Sequence, residues 1–162
     1  IENYGLLKLK VLTQQCCQQI FEEIVNYERQ AKKHQLPLFI RHDDNIGSLE
    51  RYGFLPLLEN LIDKCVNPLM FQLCPDEPNK KAKARHAFLT RNWVGRTEEF
   101  AKFKIHRDKS AITMNICVQY EDVEGSTVNF YRGEASQLEP PTNNDICLEY
   151  QHELGVAALH TG

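Results

Sequence analysis

The order of patterns along the chain predicts an α+β fold, with helices first and a run of short strands after them. Two observations carry this. Apolar residues recur at helical spacing through the first seventy or so positions, and past residue 85 the period drops to two. A third observation separates the regimes: residues 74–85 are polar and rich in Pro and Lys, as a link would be.

Thr13 is a candidate N-cap for a helix over Gln14–Lys33. Cys16, Cys17, Ile20, Ile24, Tyr27 and Ala31 mark one stripe of it, at spacings of three and four. Leu36-Pro37-Leu38 ends it. A second helix is expected near Pro56, a residue suited to a first turn. Its stripe is Leu57, Leu58, Leu61, Ile62, Cys65 and Val66. Asn67-Pro68 breaks or bends it, and residues 70–73 continue the apolar pattern. Candidate strands follow at residues 87–92, 100–106, 111–120, 126–131, 146–151 and 156–160, with turn-rich gaps between them. There is no internal repeat.

At 162 residues the chain is long enough for one domain with a real core. A formal charge of -3 argues against broad electrostatic affinity for nucleic acid or membranes. The local exception, Lys80 to Arg85, is read as a solvated linker in preference to a polyanion site. No stretch reaches the roughly 18–20 apolar residues of a membrane span, and no signal peptide is expected at the N-terminus. The chain begins with Ile1, which suggests a processed or trimmed start. The six cysteines form no C-x-x-C pair, which disfavours a zinc knuckle or a thioredoxin-like motif. Cys16, Cys65 and Cys117 read as core thiols, and a reducing compartment is slightly favoured, although a disulfide from Cys74 stays open.

The residues richest in chemistry are His106-Arg107-Asp108. On a strand, positions two apart face the same way, so an imidazole and a carboxylate would converge off one face. Non-haem Fe(II) oxygenases hold their metal with two histidines and one carboxylate on one side. The spacing alone is common, and most such pairs are solvated. Here it precedes a period-2 run, with Ala111, Thr113, Asn115 and Cys117 alternating with Ile112, Met114, Ile116 and Val118. Among the other histidines, His86 reads as structural, His42-Asp43-Asp44 as a solvated turn rather than a cation site, and His34 and His152 as surface residues. Spacing specifies no Ser-His-Asp or Cys-His arrangement, and there is no P-loop or G-x-G-x-x-G segment.

Several segments coincide in order: Arg85-His86-Ala87-Phe88-Leu89-Thr90-Arg91, then His106-Arg107-Asp108 with Ile112 to Val118, then Gly125 to Tyr131, then Glu153 to Gly162. As a set, covering residues 85–162, they resemble the Fe(II)- and 2-oxoglutarate-dependent oxygenases, in the branch of the prolyl and lysyl hydroxylases. The resemblance implies a double-stranded β-helix, a jelly-roll or cupin-like barrel, buttressed by the N-terminal helices. Residues 1–84 would supply the helical support and 85–162 the barrel core of one domain. It implies Fe(II) and the cosubstrate 2-oxoglutarate, with ascorbate as a further candidate, and hydroxylation of a substrate C–H bond with release of succinate and CO2.

Carried over by position, His106 and Asp108 match the first two iron ligands. Asn115 matches a strand residue that faces the cosubstrate, and a satisfied polar residue of the barrel wall is the competing reading. Where many relatives have Tyr after the arginine matched by Arg91, this chain has Asn92-Trp93. It also has one glycine, Gly125, where a Gly-Gly pair is usual. The run 155–162 matches the strand and turn before the family's distal histidine. The third ligand, and the arginine that would pair with 2-oxoglutarate, are therefore expected after Gly162. His160 is read as a wall histidine near the site, and as the alternative third ligand.

The first alternative function is a barrel without catalysis that serves as a binding module. The second is a cupin-like metal isomerase. The resemblance does not choose the substrate, with a protein side chain or small molecule favoured over nucleic acid. Residues 92–103 and 132–144 are expected to shape the mouth.

Overall fold

The computed structural model describes residues 5–35, 46–77, 79–83, 87–90, 105–120, 127–131 and 146–161. The candidate turn at His42, the residues around His86, Arg91 and Trp93, most of the expected strand at 100–106, Gly125 and the segment 132–144 lie outside them. The fold is α+β, with several antiparallel strands and few helices. The chain divides into two units, residues 1–18 with 105–162, and residues 19–104.

The long helix α1 spans Gln14–Lys33, as the stripe predicts. Thr13 caps it: its hydroxyl accepts the Cys16 amide at 3.1 Å, satisfying one of the donors a helix start leaves open. Cys17, Ile20, Ile24 and Ala31 are buried along the stripe. Lys32 and Lys33 stand in the last turn, where cations complement the helix dipole.

In the unit of residues 19–104, a short strand β2 (Ile46–Ser48) leads through one 3-10 turn (Leu49–Tyr52) to α2 (Leu55–Leu61), which has Pro56 in its first turn. The apolar run does not stay α-helical. It widens to π geometry over Ile62–Val66 and tightens to 3-10 over Asn67–Leu69, before the one-turn helix α3 (Met70–Leu73). Pro68, which has no amide proton to donate, sits where the winding changes. Leu61, Val66, Met70 and Leu73 are buried, and Tyr27 packs edge-on against Tyr52 at 4.9 Å. Asn67 steadies the following link, because its side-chain oxygen accepts the Ala82 amide at 2.8 Å. β3 (Phe88–Thr90) pairs antiparallel with β2.

The other unit holds two antiparallel sheets. β4 (Ile112–Ile116) and β7 (Val156–Thr161) pair with each other, and β7 pairs on its far edge with β1 (Leu7–Lys10), giving the order β1-β7-β4. β5 (Thr127–Tyr131) pairs with β6 (Ile146–Gln151). The expected strand at 146–151 is met residue for residue, and the expected 111–120 narrows to five residues. β1 was not expected. The first residues carry a strand rather than helical support alone, since Leu7-Lys8-Leu9-Lys10 alternates with period two opposite Val156 to Leu159.

Central position explains the composition of β7. Val156, Ala157, Ala158 and Leu159 are all buried, so the strand is apolar on both faces. Directly opposed residues share a face. Leu9, Ala157 and Ile116 therefore fall on one side of the sheet, as do Leu7, Leu159 and Met114. Lys8, Ala158, Asn115, His160 and Thr113 fall on the other. On that second side Leu6, Ala158 and Tyr150 form a buried cluster, with Val128, Phe130 and Leu148 of the β5–β6 sheet packed against it. Lys8 lays its ammonium over the Tyr150 ring, 5.2 Å from the centroid.

Gly155 joins this layer to the start of α1. Its carbonyl accepts the amides of Val11 and Leu12 at 3.0 and 3.1 Å, and its own amide donates to Cys117 at 2.7 Å. All six cysteines are free thiols, so no bridge runs from Cys74. Among the described residues, no helix is long and apolar enough to cross a membrane.

Candidate metal and cosubstrate site

His106 and Asp108 lie on residues 105–110, which belong to no strand. The alternation argument that places them on one strand face is therefore corrected. The two side chains still meet, with His106 Nε2 3.3 Å from Asp108 Oδ1. What brings them together is the adjoining strand. Thr113 of β4 donates its hydroxyl to Asp108 Oδ2 at 2.6 Å, and Ser110 Oγ lies 2.8 Å from Thr113 Oγ1. His106 is open to solvent, with 63% of its side chain exposed, while Asp108 is partly sheltered at 28%.

His160 closes on the same carboxylate from β7. It stands opposite Thr113 in the ladder, and its Nε2 is 3.7 Å from Asp108 Oδ2. Its side chain is 15% exposed, with the Phe130 ring edge-on at 5.0 Å. Nδ1 lies 3.0 Å from the Thr161 carbonyl. A carbonyl only accepts, so Nδ1 carries the proton in that pair. Nε2 is left as the acceptor for Asn115 Nδ2, at the long distance of 3.5 Å. Asn115 itself is exposed and sits across the ladder from the small Ala158. Three polar side chains thus line the face that β7 and β4 turn toward β5–β6.

The donor set fits a metal in part. Two ligand atoms each about 2.1 Å from a metal and at right angles are about 3 Å apart. The 3.3 Å between His106 Nε2 and Asp108 Oδ1 is close to that. His160 approaches the other carboxylate oxygen and engages Asn115, and no group of three or more His, Cys, Asp or Glu side chains is arranged to hold a metal ion among the described residues.

His152 differs from the surface residue expected. It is half-buried beside the Tyr150 ring at 5.1 Å, and burial holds its imidazole below the ordinary histidine range. His34 is exposed, as expected. Thr113 and Ser110 are site residues that sequence reasoning missed. The available signal was a Ser and a Thr two and five positions after the aspartate, across the turn into a strand.

The chain is similar to curated proteins that share one descriptive name. The chain is 24% identical over 162 residues to "2-oxoglutarate and iron-dependent oxygenase domain-containing protein CP2" of Arabidopsis thaliana, a match covering 98% of this chain and 40% of that protein. It is 26% identical over 164 residues to "2-oxoglutarate and iron-dependent oxygenase domain-containing protein 2" of Xenopus tropicalis, covering 100% of the chain and 44% of the relative. The Homo sapiens protein of the same name is 25% identical over 169 residues, with 99% and 43% covered. The chain therefore spans about two-fifths of the length of the curated relatives it matches. No protein-family model matches it, and no solved structure does. The names of these homologues point to oxygenase chemistry that depends on iron and 2-oxoglutarate.

Proposed function

We propose that this chain contributes to the catalytic domain of an Fe(II)- and 2-oxoglutarate-dependent dioxygenase. In this reading it hydroxylates a substrate C–H bond and releases succinate and CO2. The observation that carries the reading is the approach of His106 Nε2 to Asp108 Oδ1, at a separation suited to neighbouring ligands of one metal. The names of the relatives supply the identity of the metal and cosubstrate.

His106 and Asp108 are the proposed iron ligands, and the third falls outside the described residues. When bound, the iron supplies the activation of O2 and the C–H oxidation. The residues of this chain bind and orient. Asp108 contributes negative charge beside an exposed imidazole. Asn115 is the residue proposed to hydrogen-bond a 2-oxoglutarate oxygen, and its exposure on β4 supports that role. Phe130 and His160 pack edge-on at 5.0 Å and wall the inner side of the site, which leaves the carboxylate partly sheltered. The packing of the two sheets around Tyr150, Ala158 and Phe130 supports a jelly-roll reading.

The test is succinate formation from 2-oxoglutarate by the full-length protein with Fe(II), offered protein and small-molecule substrates. His106→Ala and Asp108→Ala are expected to abolish it. Undiminished turnover in either variant refutes the assignment. Fe(II) binding without turnover on any substrate favours a binding module on the same fold.

A further inference from the structure

Asp108 has a positional problem. A carboxylate rotates readily about its last bond, and its backbone here runs outside any strand ladder. Ligation requires one oxygen to stay turned toward the His106 side. What fixes it is Thr113. The threonine sits inside β4, locked by antiparallel pairing to β7, and its β-branched side chain has few accessible rotamers. Its hydroxyl lies 2.6 Å from Asp108 Oδ2, the short distance of a hydrogen bond to an ionised acceptor.

Proton counting gives the direction of the relay. Threonine has one hydroxyl proton, and a carboxylate can only accept it. Ser110 Oγ, 2.8 Å from Thr113 Oγ1, must then be the donor in the second contact. The order is Ser110 to Thr113 to Asp108. His160 Nε2, at 3.7 Å from Oδ2, lies beyond hydrogen-bond length. Thr113 therefore engages Oδ2, and Oδ1 is the oxygen nearer His106.

We propose that Thr113 is a positioning residue for the metal site: it holds Asp108 Oδ2 so that the carboxylate ligates through Oδ1 alone, with Ser110 orienting the threonine. This inference rests on the proposed role of Asp108 as a ligand. Partners that orient ligating side chains typically change metal affinity by about 10–100-fold when removed. Thr113→Val keeps the branched shape and the strand preference but deletes the hydroxyl.

The experiment titrates Co(II) into the full-length protein, following visible absorption and calorimetric affinity, for the native protein, Thr113→Val, Thr113→Ser, Ser110→Ala and Asp108→Ala. We expect Thr113→Val to weaken Co(II) binding by about 10–100-fold and to alter the Co(II) spectrum. Thr113→Ser should restore both, and Ser110→Ala should show a smaller loss in the same direction. A merely structural role would lower thermal stability without the serine rescue or the spectral change. Native-like affinity in Thr113→Val, with loss in Asp108→Ala, overturns the positioning role and leaves the metal reading standing. Equal Co(II) affinity in the native protein and Asp108→Ala overturns both. If Thr113→Val does not fold, Ser110→Ala decides, and unchanged affinity and spectrum there overturn the relay.

Discussion

Replacing Gly155 with alanine asks two things of the chain at once. The residue holds φ at +71°, a left-handed conformation that costs an L-amino acid roughly 1–2 kcal/mol. A Cβ built there also lies 2.3 Å from the Leu12 carbonyl oxygen and 3.1 Å from its carbon, both backbone atoms that no rotamer change can move. Relief requires the β1–α1 junction to retreat from β7. That retreat weakens the bonds from Val11 and Leu12 to the Gly155 carbonyl, each with a net value of about 0.5–1.5 kcal/mol. The total expected loss is about 2–5 kcal/mol, a large fraction of the stability of an ordinary domain. Gly5 is an internal control: its φ is +76°, but an added Cβ meets nothing within 4 Å. Gly5→Ala should therefore lose only the conformational part, about 1–2 kcal/mol. Urea unfolding of both variants, followed by far-UV circular dichroism, separates the terms. If the two variants are destabilised equally, the close approach of Leu12 to Gly155 does not carry the cost and the reasoning fails.

Two further outcomes can be checked. Leu159 is fully buried in the central strand, and Leu159→Ala should cost about 3–5 kcal/mol in the same unfolding assay, against less than about 1.5 kcal/mol for Leu159→Met. The depressed His152 value predicts an acid-side loss of stability. The unfolded chain takes up the proton first as pH falls below about 6.5, so the contribution of neutral His152 is complete above that pH and is lost toward the lower folded value. His152→Gln should flatten this part of the stability profile, and a slope unchanged by the substitution would count against burial as its cause.

Long periodic elements were legible in the residues alone. The stripe from Cys16 to Ala31 and the Thr13 cap specify α1, and Ile146–Gln151 reads as a strand from its composition. The strand β1 has only four alternating residues, too few to outweigh the helix that follows. β2 carries no local signal in Ile46-Gly47-Ser48 and exists through its pairing with β3. The site divides in the same way. His106 and Asp108 stand out because their common spacing precedes a period-2 run and falls within the set of segments that carries the resemblance. Thr113 reads as an ordinary strand former, and its role appears only when the turn after Asp108 folds the chain back onto β4. His152 looked solvated because burial is a property of neighbours far along the chain, here Tyr150 and the sheet it packs in.

The placement of β7 has a kinetic consequence. The sheet β1-β7-β4 is assembled around its last strand in sequence, and among the described residues β1 and β4 have no ladder partner until β7 arrives. Lys10 and the Leu154 carbonyl, which meet where the end of β1 lies opposite the start of β7, are 144 residues apart. Closing a loop of that length costs about 4 kcal/mol of chain entropy before any pairing is gained. Contacts of this kind slow folding, and the alternating edge of β1 waits unpaired in the interval. Lys8 and Lys10, which flank Leu9, place charge on that waiting strand, a device that discourages pairing with other chains.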